Sequence, residues 1–515
     1  MILCRCGFAT HIRAGEITYK QLSALTYEFT IIEYVKESSQ IARPTLPINW
    51  GDNTSTDVHI TDSTEFKAGS DTRMRVYKAT HTYPGSGSYI ISLSDENRNG
   101  NVINIPNSVN VSFYVETLLN IDPFLGYNQS PTLLNPPLDK GAVFKIFTHN
   151  PGAYDPDGDI LKYKLVYCKD ASGKDIAGYR MPEANPGKKI TIDPNTGTVI
   201  WDAPQQQGEY NIAIRIEEYR NGKLMGYVVR DMQIEIGVTE NTPPIIIAHD
   251  TCVEAGQQVK MVIRASDPEL EKITLTATGG PLQQTPPASF VIDSSMAGIT
   301  TATFTWQTEC KHIQMLPYDV SLKAEDKGYS KPDIKLVTFG SFKIRVLEPA
   351  PKNVITSPSG SFITVHWDKS MCPRTTGYKL YRKSGKFQYN PEPCDTGMPA
   401  NSGYELIATL RGINNNTYID NKNGEGLSRG NVFISTPAFP FRPSFLYIST
   451  IYGGGFTLVS NALGSGFTHL KAILPVDKSV FSTLTCINTG MSFFSSVQDS
   501  SDGLLLTSSG MESIF

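Results

Sequence analysis

Two successive stretches of this 515-residue chain, each about a hundred residues long, carry the same landmarks in the same order. The first runs Asn128-Gln129-Ser130-Pro131, Asp155-Pro156-Asp157-Gly158-Asp159, Val199-Ile200-Trp201 and Tyr210-Asn211-Ile212-Ala213-Ile214. The second runs Asn241-Thr242-Pro243-Pro244, Asp267-Pro268-Glu269-Leu270-Glu271, Thr303-Phe304-Thr305-Trp306 and Tyr318-Asp319-Val320-Ser321-Leu322. Asn-to-Asp spacing is 27 and then 26 residues, and Asp-to-Trp spacing 46 and then 39. A repeat of this size fixes architecture ahead of function, because each copy is one supersecondary unit. Alternating runs such as Leu161-Lys162-Tyr163-Lys164-Leu165-Val166 have the period of a half-buried strand. The expected fold class is therefore all-β, with tandem β-sandwich modules in an elongated array.

Length and composition agree with that reading. A chain of 515 residues is too long for one core and should hold three to five domains. The 42 Gly, 33 Pro, 24 Tyr and 23 Phe suit many short strands joined by turns. A net charge of −4 with interspersed signs gives no electrostatic case for nucleic acid or an anionic membrane. No apolar run approaches the ~20 residues of a spanning helix. Residues 1–9 (MILCRCGFA) read as the remnant of a signal peptide, so export is expected.

Of eight cysteines, Cys252 and Cys310 bracket the second repeat, and Cys372 and Cys394 flank a Tyr-containing segment of the next module. All four are disulfide candidates in an exported protein, with Cys252–Cys310 and Cys372–Cys394 the expected pairs; buried free thiols are the alternative.

Residues 10–118 contain Asn49-Trp50-Gly51-Asp52 and His81-Thr82-Tyr83-Pro84 leading through Gly85 and Gly87 into Tyr89-Ile90-Ile91-Ser92-Leu93. That combination resembles the polycystic kidney disease (PKD) domain, with Asn53 in place of its second turn glycine. Residues 119–237 and 238–348, the two repeats, resemble cadherin-like or dystroglycan-type immunoglobulin sandwiches, which implies that the tandem modules are immunoglobulin-like. Residues 349–430 resemble a fibronectin type III module through Phe362-Ile363-Thr364-Val365-His366-Trp367, Gly377-Tyr378-Lys379-Leu380-Tyr381-Arg382 and Thr417-Tyr418-Ile419-Asp420. Its last two strands are missing from the pattern, so the module reads as incomplete. Only seven charged residues fall in 431–515, against 89 in the preceding 430. That tail is expected to be anomalous, either frameshifted or disordered; the alternative is a divergent β-rich domain.

The collection resembles Bacteroidetes surface proteins that carry a gliding-motility-associated C-terminal sorting domain and leave by type IX secretion. The matches are Thr10-His11-Ile12-Arg13-Ala14-Gly15-Glu16, Ile121-Asp122-Pro123-Phe124-Leu125-Gly126, His149-Asn150-Pro151-Gly152-Ala153-Tyr154 and Cys252-Val253-Glu254-Ala255-Gly256. The resemblance implies an outer-surface location and contact with secretion machinery through a C-terminal domain absent here.

Among candidate sites, Asp155, Asp157 and Asp159 offer alternate carboxylates around a Gly turn, the oxygen-rich chemistry calcium requires. The same five residues also make a strong turn with no metal, and the second copy has Glu269 and Glu271 and no glycine. Calcium is thus the one cofactor suggested. Glu217, Glu218, Arg220, Arg230 and Asp231 read as edge-strand or surface charges. Trp201, Trp306 and Trp367 are expected in sandwich cores, as is Trp50, for which sugar stacking is the alternative. No HExxH or phosphate loop occurs, and the single GxSxG at residues 426–430 lacks the flanking strand and helix of a hydrolase elbow. The expected function is non-enzymatic adhesion or surface spacing toward an extracellular polysaccharide or protein ligand. The rival is an accessory binding region of a secreted polysaccharide-active enzyme.

Overall fold

The computed structural model describes residues 12–37, 43–65, 72–96, 98–186, 188–328, 334–359, 362–383 and 402–421, together with the backbone of seven short strands between 431 and 506. The protein is all-β, built of immunoglobulin-like sandwiches in tandem. It divides into two compact units, one of residues 1–250, 260–306 and 318–343, the other of 251–259, 307–317 and 344–515.

The first unit begins with β1 (Ile12–Gln21), β2 (Thr26–Lys36), β3 (Thr45–Asn49), β4 (Ser55–Glu65), β5 (Thr72–Thr82), β6 (Gly87–Asp95) and β7 (Phe113–Ile121). They pair in the order β1-β2-β5-β4-β3-β6-β7. Period-two patterning sends Tyr27, Phe29 and Ile31 of β2 inward, where they meet Trp50, Tyr77 and Leu119. The turn after β3 needs Gly51, whose φ is +82° and where a Cβ would sit 2.6 Å from the Ile90 carbonyl oxygen. Asp52 Oδ1 accepts the Thr54 N–H at 3.0 Å, closing that turn.

The chain continues through β8 (Thr132–Leu133), β9 (Lys140–Ala142), β10 (Phe147–His149), β11 (Ala153–Tyr154), β12 (Ile160–Val166), β13 (Thr191–Ile192), β14 (Val199–Trp201), β15 (Gly208–Arg220) and β16 (Lys223–Gly237). Asn221 and Gly222, both at positive φ, make the two-residue turn between the two long strands. One edge of β16 pairs with β15 throughout. Its other edge takes three partners in succession. Gly226–Val228 pair with β7, Asp231 and Met232 with β1, and Glu235–Gly237 in parallel with β9. A single 11-stranded sheet therefore passes from the first sandwich into the second. Residues 10–118 and 119–237 thus share one sheet, because β16 pairs with strands of both. Ala14 and Tyr34 pack in the same cluster as Trp201, Ile212 and Met232.

Residues 238–348 supply β17 (Ile245–Ile247), β18 (Thr251–Glu254), β19 (Gln258–Ser266), β20 (Thr274–Gly279), β21 (Ser289–Met296), β22 (Ile299–Gln307), β23 (Tyr318–Glu325) and β24 (Val337–Leu347). They form two four-stranded sheets, β17-β19-β22-β21 and β18-β24-β23-β20. The repeat is visible in packing as well as text. Trp201 meets Tyr210 edge-on at 4.8 Å between centroids, Trp306 meets Tyr318 at 4.9 Å, and Trp367 meets Tyr378 at 5.2 Å.

The second unit carries β25 (Ile355–Ser359), β26 (Phe362–His366), β27 (Gly377–Lys383), β28 (Glu405–Arg411), β29 (Thr417–Asp420), β30 (Asn431–Thr436) and β31 (Arg442–Ser444). The sheets are β25-β26-β29 and β28-β27-β30-β31. Backbone pairing continues past Gly430. Lys379–Lys383 pair with Asn431–Ser435. Low charge is no bar to such pairing, since a strand needs alternation and a neighbour rather than charged residues.

Candidate functional site

The Asp-Pro turns are the same object in both repeats. Asp155 Oδ1 accepts the N–H groups of Asp157 (2.9 Å) and Asp159 (3.0 Å); Asp267 Oδ1 accepts those of Glu269 (3.0 Å) and Glu271 (2.9 Å). Gly158 takes the left-handed backbone at φ +81°, and Leu270 takes its place in the second copy at +62°. A branched residue there is strained by about 1 kcal/mol. The strain shows that the turn is held by its surroundings, glycine or not.

The three expected carboxylates do converge, with one oxygen from each of Asp155, Asp157 and Asp159 within 4.8 Å of the others. What the sequence reading missed is the cation already there. Arg220, at the end of β15, grips Asp159 with both prongs, Nε to Oδ1 at 2.8 Å and Nη2 to Oδ2 at 2.7 Å. Its Nη2 also donates to Asn128 Oδ1 (3.0 Å), and its Nη1 to the carbonyls of Leu125 (2.9 Å) and Tyr127 (2.7 Å). Burial works against the guanidinium's charge, but Asp159 and its neighbours outweigh it and raise the Arg220 pKa. Asp157 accepts the Gln129 N–H at 2.7 Å.

Beneath this lies Glu218, fully buried, which accepts the Tyr19 hydroxyl (2.8 Å) and Asn128 Nδ2 (2.6 Å). Burial first, then the charge of Asp155, holds its carboxyl well above the usual range. Burial likewise pushes Asp155 up to about 6, reinforced by Asp159 and Asp157. These residues supply too few oxygens for calcium's six to eight ligands, because both oxygens of Asp159 are occupied by Arg220. The donor set as arranged does not fit the metal. Aligning Tyr210 with Tyr318 sets Glu218 on Asp326 and Arg220 on Gly328. Asp326 is bonded to Asn241 at 2.9 Å as Glu218 is to Asn128.

The charges read as surface groups are mostly interior. Glu218 and Arg230 are 0% exposed and Asp231 1%. β15 and β16 are central strands, so their polar residues lie under neighbouring strands and require partners. Arg98 reaches across to Asp231 through two hydrogen bonds of 2.8 and 2.6 Å, and Arg230 bonds Glu16 of β1. Lys323 and His149 both bond Asp139, the latter at 2.7 Å. Trp50 is buried, its indole N–H on Thr56 Oγ1 at 3.1 Å and its ring stacked on His81, so it offers no face to a sugar.

The disulfide reading is also corrected. Cys310 bonds Cys372, 62 residues on, in place of Cys252. Cys252 is itself disulfide-bonded, and Cys394 lies outside the described residues, as does the 426–430 motif. Cys168 is a buried free thiol. The bridge lies between modules, which spacing within one repeat could not reveal.

Among the described residues no helix is long and apolar enough to cross a membrane. No protein-family model and no curated protein matches the sequence. Solved structures similar to it include titin domains z1z2 in complex with telethonin, 12% identical, covering 43% of this chain and 98% of that one at a TM-score of 0.15. Mouse protocadherin-24 EC1-3 is 12% identical over 60% of this chain and 91% of its own, with a TM-score of 0.15. The S-layer protein SbsC, domains 4 and 5, is 12% identical over 42% and 97%, with a TM-score of 0.14. Such identities and TM-scores transfer no function to this chain.

Proposed function

We propose that this chain is a non-enzymatic, exported surface protein that acts as an adhesive or structural spacer, with loops at module ends meeting an extracellular polysaccharide or protein. The Bacteroidetes resemblance in the sequence extends this to type IX secretion and surface attachment linked to gliding. The observation that carries the reading is the joint between the first two sandwiches. There Arg98–Asp231 and Arg230–Glu16, all nearly or fully buried, tie β16 to the first sandwich across one continuous sheet. Buried pairs of this kind add little net stability but specify one arrangement of the parts they join. A spacer that must transmit load needs such a joint. The test is force spectroscopy on the full chain. Residues 12–237 should extend in one event; two separate events would count against the spacer reading. Hydrolysis of a polysaccharide by the purified chain would overturn the non-enzymatic assignment.

A further inference from the structure

The end of the first sandwich bears a cleft of about 500 Å³ that none of the contacts described above fills. Its walls come from Ser86 and Ser88 at the start of β6, Asn120 at the end of β7, the turn Asp122–Phe124, and Lys223 in the β15–β16 hairpin. At its rim Phe124 is 93% exposed.

This ring does not sit on loose chain. The Phe124 N–H donates to Asp122 Oδ1 at 2.9 Å and the Leu125 N–H to the Asp122 carbonyl at 3.1 Å. Arg220 clamps the next carbonyls, those of Leu125 and Tyr127, from below. A fixed backbone presenting a bare aromatic has already met the ordering cost that binding would otherwise incur. The polar groups beside it are set as well. The Ser88 hydroxyl donates to Asn120 Oδ1 at 2.6 Å, and Asn120 Nδ2 donates to the Leu224 carbonyl at 3.0 Å, which fixes the amide. Among the described residues the Lys223 ammonium has no ion-pair partner.

Hydroxyls, an amide, a carboxylate and an ammonium line the same cleft as this exposed aromatic, a set of groups that matches a sugar ring. Such a ring is apolar on its C–H face and lined at its edge with groups that both donate and accept. The cleft volume is that of a small-molecule site. We propose that this cleft binds a saccharide chain, Phe124 stacking on a sugar face and Lys223 meeting a carboxylate or sulfate substituent. The proposal rests on the adhesive reading above and names its ligand class.

The test is affinity electrophoresis of the full chain in gels cast with polygalacturonate, alginate, chondroitin sulfate or an uncharged β-glucan. Retardation should occur in at least one acidic polymer and exceed that in β-glucan. It should fall at least tenfold in apparent affinity for Phe124→Ala, and for Lys223→Ala on the acidic polymers. Both side chains are exposed, so neither change threatens folding. No retardation in any gel, or retardation unchanged in Phe124→Ala, overturns the site. Beads coated with native chain and tested on immobilised gelatin separate the two readings. Adhesion there without retardation in any gel removes the saccharide site and leaves an adhesive protein; failure of both removes both.

Discussion

Arg220 does at the first Asp-Pro turn what a metal does in a calcium site, because its planar fork meets both oxygens of one carboxylate while its other N–H groups reach backbone carbonyls. Replacing it with methionine should leave Asp157 and Asp159 uncompensated beside buried Glu218 and destabilise the fold by about 2 kcal/mol at neutral pH. Added calcium should then raise the melting temperature of Arg220→Met while leaving the native protein unmoved; a native melting temperature that falls on adding chelator would contradict this assignment. Glu33 shows the opposite economy. Burial, with Asp95 adding, pushes its carboxyl from 4.5 up to about 8. The folded value lies above the unfolded one, so the folded chain holds an extra proton through that window and stability falls as pH rises across it. Glu33→Gln should match the native protein near pH 4 and exceed it above pH 8 by on the order of 5 kcal/mol, measured by urea unfolding at the two pH values. Neither side chain could be placed from sequence. The three aspartates were legible as neighbours because they lie within five residues of one another, but Arg220 is 61 residues from Asp159 and comes to it only through the β12–β15 pairing.

At the level of strands, local pattern and turn chemistry were readable and partners were not. Alternation in Leu161–Val166 and the Asp52 turn appear where residue spacing put them. Trp201, Trp306 and Trp367 are buried because a large apolar ring in a strand has one favourable face. The course of β16 was hidden, since nothing in its 15 residues says that its free edge serves three different strands. The same blindness turned interior Arg230 and Asp231 into expected surface charges. The structure predicts that residues 10–118 and 119–237, expressed apart, will each expose an unpaired, largely apolar edge and aggregate. Co-expressed, they should recover a soluble complex by size-exclusion chromatography. Soluble, monomeric fragments with native amide protection would show that the shared sheet is dispensable.

For the molecule as a whole, compact units and sequence repeats do not coincide. The second repeat gives residues 238–250, 260–306 and 318–343 to the first unit and 251–259, 307–317 and 344–348 to the second. Within the second unit the Cys310–Cys372 bridge closes a 62-residue separation. In the chain-entropy account a loop of that length contributes about 4 kcal/mol. The double variant Cys310→Ala/Cys372→Ala should therefore lose amide protection in strands β25 to β28 while β1 to β16 keep theirs, as hydrogen exchange followed by mass spectrometry would show. Equal loss in both regions would mean that the bridge supports the entire chain.

The shared strand also sets a clock. Glu16 and Arg230 meet across 214 residues of sequence. Contacts of such separation form late, because the loop must close before any of its reward is felt. A ribosome extends the chain at roughly 5–20 residues per second, so the opening strand waits many seconds for its neighbour. Until Arg230 emerges the first sandwich has a missing wall, and the chain remains threadable long after its first hundred residues exist.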